Sequence, residues 1–165
     1  MQLEGSCHCG KVRFSLESSQ PYPFNLCYCS ICRKTAGGGG FAINLGGDYK
    51  SMQVKGEEHI GVYRADVPDG ETGKTNKSEA RRNFCSYCGS ALWVWDPRWP
   101  ELVHPFASAI DSELPRPPEH THLMLAFKAS WVPAHIEEDD LSFDVYPEES
   151  LAQWHERLGL VQGER

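Results

Sequence analysis

The sequence predicts a mainly β fold with one short α-helix near the C-terminus. Fifteen Gly and eleven Pro among 165 residues imply many turns and little long helix. Several short segments also alternate apolar and polar residues, or are rich in aromatic and β-branched residues, as half-buried and buried strands are. A chain of this length is too short for two comfortable domains, so we expect a single domain over residues 1–165.

The predicted elements follow one another along the chain. Val12, Phe14 and Leu16 alternate with polar residues and predict the first strand. Further strands are predicted at residues 41–45, 59–65, 91–95, 102–110 and 122–131. Residues 66–80, rich in Pro, Gly and Asp, predict a polar loop, and the acidic residues 137–140 predict a solvated one.

The C-terminal helix is predicted after Pro147, from EESLAQWHERLG. Leu151, Trp154 and Leu158 recur at helical spacing, acids occupy the expected first turn, and Gly159 stands at the stop. This pattern predicts one amphipathic helix docked on the sheets.

Charge disfavours two classes of partner. The formal net charge is -7, so a nucleic-acid backbone or an anionic membrane surface is not the expected partner. No apolar stretch approaches the length of a membrane span, and the first residues, MQLEGSCHCG, contain neither a basic nor an apolar segment. We therefore expect a cytoplasmic protein that acts on a small molecule.

All seven cysteines fall into three clusters. The clusters are Cys7 with Cys9, then Cys27, Cys29 and Cys32, then Cys85 with Cys88. An odd number of cysteines fits poorly with a disulfide framework, and packing alone gives no reason to space thiols two or three residues apart. Metal ligation is the favoured interpretation, with Gly10 and Gly89 completing tight turns through positive φ.

Structural zinc takes four ligands, so two knuckles of two cysteines make one closed site. Cys7, Cys9, Cys85 and Cys88 can form it, which leaves Cys27, Cys29 and Cys32 as three ligands for a second zinc with an open position. Two alternatives stay open at this point: a remote His or acid could close the second site, or this cluster could join another.

A family resemblance follows from GSCHCGKVRF, the three-cysteine cluster running into CRKTAGG, RNFCSYCGSAL, ASAID and HLMLAFKASW. In this order the motifs resemble the glutathione-dependent formaldehyde-activating (GFA) family, which also includes centromere protein V. The resemblance covers roughly residues 3–135, and residues 136–160 form an extension made of the acidic loop and the helix.

The resemblance implies a β-tent of twisted antiparallel sheets organised around two zinc ions per chain. It implies that the four paired cysteines hold a structural zinc, and that Cys27, Cys29 and Cys32 hold a catalytic zinc. The implied reaction joins glutathione and formaldehyde into S-(hydroxymethyl)glutathione, as a carbon-sulfur lyase does in reverse. Three thiolates make the metal electron-rich, which favours a thiol rather than a carbonyl at the open position.

Residues beside the three-cysteine cluster are candidates for substrate contacts. Arg33 and Lys34 could hold a carboxylate of glutathione, although each alone is more simply a solvated charge. Gly38 and Gly39, within a run of four glycines, could let a ligand approach the backbone. Tyr28 stands where many family members have His, so we expect it to modulate the mouth of the site.

Three other functions fit parts of the sequence. The chain could be a GFA-like enzyme for a different thiol or thioether, a non-catalytic binding module stabilised by zinc, or a redox or zinc-buffering protein. A basic stripe would favour the module, and this acidic chain has no such feature. The general base and the oligomeric state are not predicted.

Overall fold

The computed structural model describes residues 1–161, and these residues are mainly β, as the sequence predicts. The last four residues of the predicted domain, 162–165, lie outside the described residues. The strands are β1 (Gln2–Ser6), β2 (Arg13–Glu17), β3 (Asn25–Cys27), β4 (Ala42–Ile43), β5 (Gly47–Asp48), β6 (Gln53–Lys55), β7 (Ile60–Tyr63), β8 (Asp66–Pro68), β9 (Thr75–Lys77), β10 (Arg81–Cys85), β11 (Ala91–Trp95), β12 (Leu102–Pro105), β13 (Thr121–Leu123) and β14 (Leu141–Ser142). The α-helices are α1 (Ser30–Ala36) and α2 (Leu151–Arg157). Neither helix has the length or apolar character needed to cross a membrane.

Four sheets are formed by the described strands. Their orders are β1-β2-β6, β5-β12-β11-β10-β7, β14-β13-β3-β4 and β8-β9. The first, second and fourth are antiparallel. In the third sheet β13 runs parallel to both β3 and β14, so the expectation of purely antiparallel sheets is wrong there. Longer connections make this possible, since parallel neighbours need a crossover.

The largest core lies between the three-stranded and five-stranded sheets. Phe14 of β2 meets Trp93 of β11 edge to face, with ring centroids 5.1 Å apart. Leu3, Leu16 and Leu92 are fully buried with them. Cys7 and Cys85 belong to this same core, so the cysteine knuckles at its rim are anchored by apolar packing on both sheets.

A second core joins the five-stranded sheet to the four-stranded sheet. Val94 of β11 and Phe106 pack there against Leu123 of β13, together with Cys27 and Cys32. A third and smaller core contains Leu26 of β3, Tyr28 just after that strand, and Val132. Successive side chains of a strand point to opposite faces, which explains why Cys27 lies in one core and its two neighbours in another.

The C-terminal helix is confirmed, with a different start. Ser150 caps α2 by accepting a hydrogen bond from the Gln153 N–H, and the Gln153 side chain accepts one from the Ser150 N–H. This capping box begins the helix after the acids, which therefore precede its first turn. Trp154 is completely buried and stacks on Phe24 at 3.7 Å between ring centroids. Gly159 ends the segment at φ 64°.

Several sequence predictions fail locally. Residues 66–80 form the β8-β9 hairpin rather than a loop, because Asp69 Oδ1 accepts the N–H groups of Glu71 and Thr72 and closes the turn. The strand predicted at 122–131 ends at Leu123, because Met124 takes φ 63° and a 3-10 turn follows. The sequence reasoning also missed α1.

Candidate metal centres

The four paired cysteines form one compact group in the structure. The Sγ atoms of Cys7, Cys9, Cys85 and Cys88 all lie within 4.8 Å of one another. Cys7 Sγ is 3.5 Å from Cys9 Sγ, and Cys9 Sγ is 3.8 Å from Cys85 Sγ. Tetrahedral zinc with bonds of about 2.3 Å places its sulfur ligands about 3.8 Å apart. The donor set and its spacing therefore fit zinc.

Two turns of similar design present these thiols. Gly10 and Gly89 follow the knuckles at φ 74° and 77°, as the sequence predicts, and their N–H groups donate to the carbonyls of Cys7 and Cys85. The N–H of Val12 donates to Cys7 Sγ at 3.2 Å. Cys7 and Cys85 are buried, whereas the other two thiols are exposed. Each knuckle thus has one thiol in the core and one at the surface.

Ser90 connects the two knuckles. Its Oγ lies 3.2 Å from Cys88 Sγ and accepts the N–H of His8 at 3.0 Å. Hydrogen bonding from the Ser90 side chain and then its backbone lowers the pKa of Cys88 to about 5. A thiolate is therefore favoured at this position even before a cation adds its own field.

The second group consists of Cys27, Cys29 and Cys32, whose Sγ atoms also lie within 4.8 Å of one another. Cys27 ends β3, Cys29 is the N-cap of α1, and Cys32 lies in the first turn of that helix. Cys29 Sγ accepts the Cys32 N–H at 3.3 Å, which is the contact a Ser or Asp side chain would make at an N-cap. A strand end and a helix start thus bring the three thiols together.

The three thiols do not ionise independently. Hydrogen bonds from the thiols of Cys27 and Cys32 lower the pKa of Cys29 to about 2. Hydrogen bonding with Cys29, and to a lesser extent with Cys32, raises the pKa of Cys27, and burial raises it further. The first thiolate is therefore stabilised by hydrogen bonds from the other two thiols, which themselves become harder to ionise. A bound cation would let all three ionise.

No His, Asp, Glu or fourth Cys of residues 1–161 joins the three-thiol group. The remote histidine or acid that could have closed this site is therefore not found among them, and neither group borrows a thiol from the other. Three ligands suit a zinc that keeps one position for water or substrate. The group can thus hold a metal ion in a coordination that the protein leaves incomplete.

Arg82 lies beside the three-thiol group, and sequence reasoning missed it. Its Nη2 is 3.7 Å from Cys32 Sγ, and its Nη1 is 3.5 Å from Thr35 Oγ1. The signal in the sequence was slight: a second Arg in the ARRNFC stretch, three residues before Cys85. The contact of Arg82 with Cys32 shows that β10 passes the second centre, and the same strand ends at Cys85 of the first.

A pocket of about 430 Å³ opens along α1 and the glycine run. Arg33, Lys34 and Gly38 line it with Ser90 and Ala91, whereas Gly39 does not. None of the three thiols lines the pocket, which begins at the residue after Cys32. Arg33 Nε is buried, and no hydrogen-bond partner lies within reach of it among the described residues. A buried donor of this kind is rare in a protein without a ligand to satisfy it.

The glycine run divides into two classes. A Cβ at Gly37 would lie 2.1 Å from Phe41 O, and one at Gly40 would lie 2.3 Å from Val132 Cγ2, at a φ of 95°. A Cβ at Gly38 would meet nothing within 4 Å. Packing therefore requires the first and last glycines, while the middle of the run borders open space.

Tyr28 does not lie at a mouth of the site, contrary to expectation. It is 1% exposed and packs with Leu26 and Val132, in a different core from the thiols on either side of it. Its hydroxyl is 2.9 Å from His122 Nδ1, and His122 Nε2 is 3.1 Å from Asp140 Oδ2. Asp140 Oδ2 is an acceptor, so in the neutral imidazole His122 Nε2–H donates to it and Nδ1 accepts from the Tyr28 hydroxyl.

Asp140 also corrects the prediction of a solvated acidic loop. Its side chain is 3% exposed, and it accepts the N–H groups of Glu137 and His120. Burial alone would raise the pKa of Asp140, but these two backbone bonds and the His122 bond lower it to about 2. The last of the four acids is thus a buried hydrogen-bonding anchor.

Comparison with known proteins gives consistent matches. A family model described as glutathione-dependent formaldehyde-activating enzyme matches residues 2–124. A Halomonas elongata protein, provisionally named a glutathione-dependent formaldehyde-activating enzyme, is 63% identical over 163 residues, which are 99% of this chain and 100% of that protein. A crystal structure of a Rhodobacter sphaeroides protein is similar with a TM-score of 0.51 and 25% identity, covering 70% of this chain and 92% of that one.

Proposed function

The chain belongs to the glutathione-dependent formaldehyde-activating family, and on this premise we propose that it joins glutathione and formaldehyde into S-(hydroxymethyl)glutathione. The reaction forms a carbon-sulfur bond and corresponds to a lyase working in reverse. The proposal includes two zinc ions per chain within one domain of the β-tent type. Cys7, Cys9, Cys85 and Cys88 hold the structural ion, and the three-thiol group holds the catalytic one.

The observation that carries the proposal is the three-thiol group without a fourth ligand among residues 1–161. Zinc held by these thiols would supply an open position at which a thiol would release its proton to solvent and become a nucleophile. Cys27 and Cys32 are held in the second core by β3 and α1, while Cys29 is partly accessible. This arrangement fixes the ligands and leaves one side of the group for the substrate.

The pocket beside α1 supports glutathione as the thiol. Arg33 and Lys34 line it, and their cationic groups are suited to a carboxylate. Arg33 and Lys34 directly follow Cys32 in α1, where the rise is about 1.5 Å per residue, so a carboxylate held by them lies within a tripeptide's reach of the thiols. Arg33 and Lys34 would bind the carboxylates and orient the sulfur toward the thiol group.

The first experiment is a metal count combined with a rate measurement. We expect two zinc ions per chain in the wild type, and one in Cys29→Ser with the fold retained. We expect Cys88→Ser to lose stability, because it opens the site that connects the first strands to the five-stranded sheet. One zinc ion in the wild type, or equal unfolding of both variants, would contradict the division between the sites.

The rate is measured by exchange NMR, because glutathione and formaldehyde also react without a catalyst. The wild type should accelerate exchange between glutathione and its hydroxymethyl adduct, and Cys29→Ser should not. 2-Mercaptoethanol, which has no carboxylate, is the matched substrate: weaker acceleration with it supports the role of Arg33 and Lys34. Two bound zinc ions with no acceleration for either thiol would instead indicate a binding module.

A further inference from the structure

The second centre has a fixed cation on one of its sulfurs. We propose that Arg82 balances the charge of the three-thiol centre, so that its fourth position takes an anionic thiolate in preference to a neutral ligand. This inference rests on the proposed function of that centre and goes beyond it, because it names the residue that selects the ionised form of the substrate.

The position of Arg82 is fixed by both its backbone and its side chain. Its backbone lies in β10, which pairs with β11 and β7. Its guanidinium reaches Cys32 Sγ through Nη2 and Thr35 Oγ1 through Nη1. Thr35 is itself fixed, because its hydroxyl donates to the carbonyl of Ile31 at 2.6 Å. Both groups that accept hydrogen bonds from Arg82 belong to α1, so the distance between the guanidinium and the thiols is held by one helix.

Charge is the reason that this contact matters. A divalent ion on three thiolates leaves a net charge of about -1, and a thiolate as fourth ligand makes it about -2. Cys27 and Cys32 are 7% and 5% exposed, and the surrounding core consists of apolar side chains such as Val94 and Phe106. A doubly negative centre is costly in such surroundings unless a cation lies close to it.

Arg82 is the cation in contact with a sulfur of this group among the hydrogen bonds of residues 1–161. Its N–H donor also withdraws electron density from Cys32, which leaves the metal more able to accept a fourth donor. Arg33 and Lys34 line the pocket instead, where they would face a substrate's carboxylates. The two sets of cations thus have separate tasks: one addresses the sulfur, and the other the distant end of the ligand.

The neighbouring residue offers a matched control. Arg81 precedes Arg82 in β10, points to the other face of the sheet and lies over the ring of Trp95, 5.1 Å from its centroid. Replacing either arginine removes the same charge from the same strand, but only one replacement removes it from the thiol group.

The test uses full-length protein loaded with cobalt(II), and the change in the visible bands on adding a ligand reports the three-thiol centre, because the four-cysteine group has no open position. Arg82→Gln, Arg82→Lys and Arg81→Gln are titrated with glutathione, 2-mercaptoethanol and imidazole. We expect Arg82→Gln to bind both thiols about tenfold or more weakly, with imidazole binding and metal content unchanged. Arg82→Lys should recover part of the loss, and Arg81→Gln should bind like the wild type.

Several results would overturn the inference. Unchanged thiol binding in Arg82→Gln would do so, as would a loss confined to glutathione, which would make Arg82 another carboxylate contact. Loss of cobalt from Arg82→Gln, or equal weakening of imidazole, would show a structural role. The proposed function fails separately: thiol binding that depends on Arg82, without accelerated adduct formation, would refute that function and leave the role of Arg82 intact.

Discussion

Replacing Tyr28 with Phe isolates one buried hydrogen bond at a residue that lies between two proposed metal ligands. The ring stays in place, so no cavity forms, but His122 Nδ1 loses its donor. Tyr28 and His122 are each 1% exposed, so water cannot substitute for the lost hydroxyl. A buried polar group left unsatisfied costs about 1–3 kcal/mol.

We therefore expect Tyr28→Phe to lower the free energy of unfolding by about 2 kcal/mol, or Tm by about 4–8 °C for a chain of this size. Urea and thermal unfolding of the zinc-loaded protein measure the change. Tyr63→Phe is the matched control, because Tyr63 is 44% exposed at the edge strand β7. Zinc content is determined in parallel, and we expect it to be unchanged.

The reasoning would be refuted if Tyr28→Phe were as stable as Tyr63→Phe. It would also be refuted if Tyr28→Phe lost the metal of the three-thiol centre while retaining wild-type stability, since the hydroxyl would then act on the centre and not on the fold.

Three further predictions concern acid stability and the glycine run. The pKa of Asp140 is lowered to about 2, so its contribution to the free energy of unfolding is complete above about pH 5 and disappears as the pH falls through 2. Urea titrations should therefore show that Asp140→Asn is less stable than the wild type by about 2 kcal/mol above pH 5, and that this difference narrows as the pH falls. A difference that stays constant with pH would contradict the prediction. Gly40→Ala should destabilise by about 2 kcal/mol or more, because its Cβ would overlap Val132 at a strained φ. Gly38→Ala should unfold like the wild type and bind glutathione more weakly, a pairing that thermal unfolding and calorimetry can test.

The sequence predicted those features that local spacing determines. The grouping of cysteines, the positive φ at Gly10 and Gly89, and six of the fourteen described strands follow from residue types within a few positions of each other. Helix α1 was missed because a cysteine, and not one of the usual capping residues, occupies its N-cap, and because seven residues carry little periodicity.

Residues whose surroundings depend on distant pairing were not predictable. Arg82 meets Cys32 across 50 positions of sequence, and Tyr28 meets His122 across 94. Asp140 looked like a solvated charge because its neighbours are acids, yet β14 next to it runs beside β13 and directs its carboxylate inward. A single sequence shows which residue types are present, but it does not show which strands pair or in what register, and these contacts depend on that pairing.

The two thiol groups differ in how far apart their members lie along the chain, and this difference has a thermodynamic consequence. The three-thiol group spans six residues, so even an unfolded chain can chelate a metal there, and binding adds little to the stability of the fold. The other group brings Cys9 and Cys85 together across 76 positions, a contact that exists only after the sheets have assembled. Zinc bound at that group would therefore be linked to folding, and its apparent affinity would measure the stability of the whole molecule, whereas the affinity of the three-thiol group would measure only the local chelate.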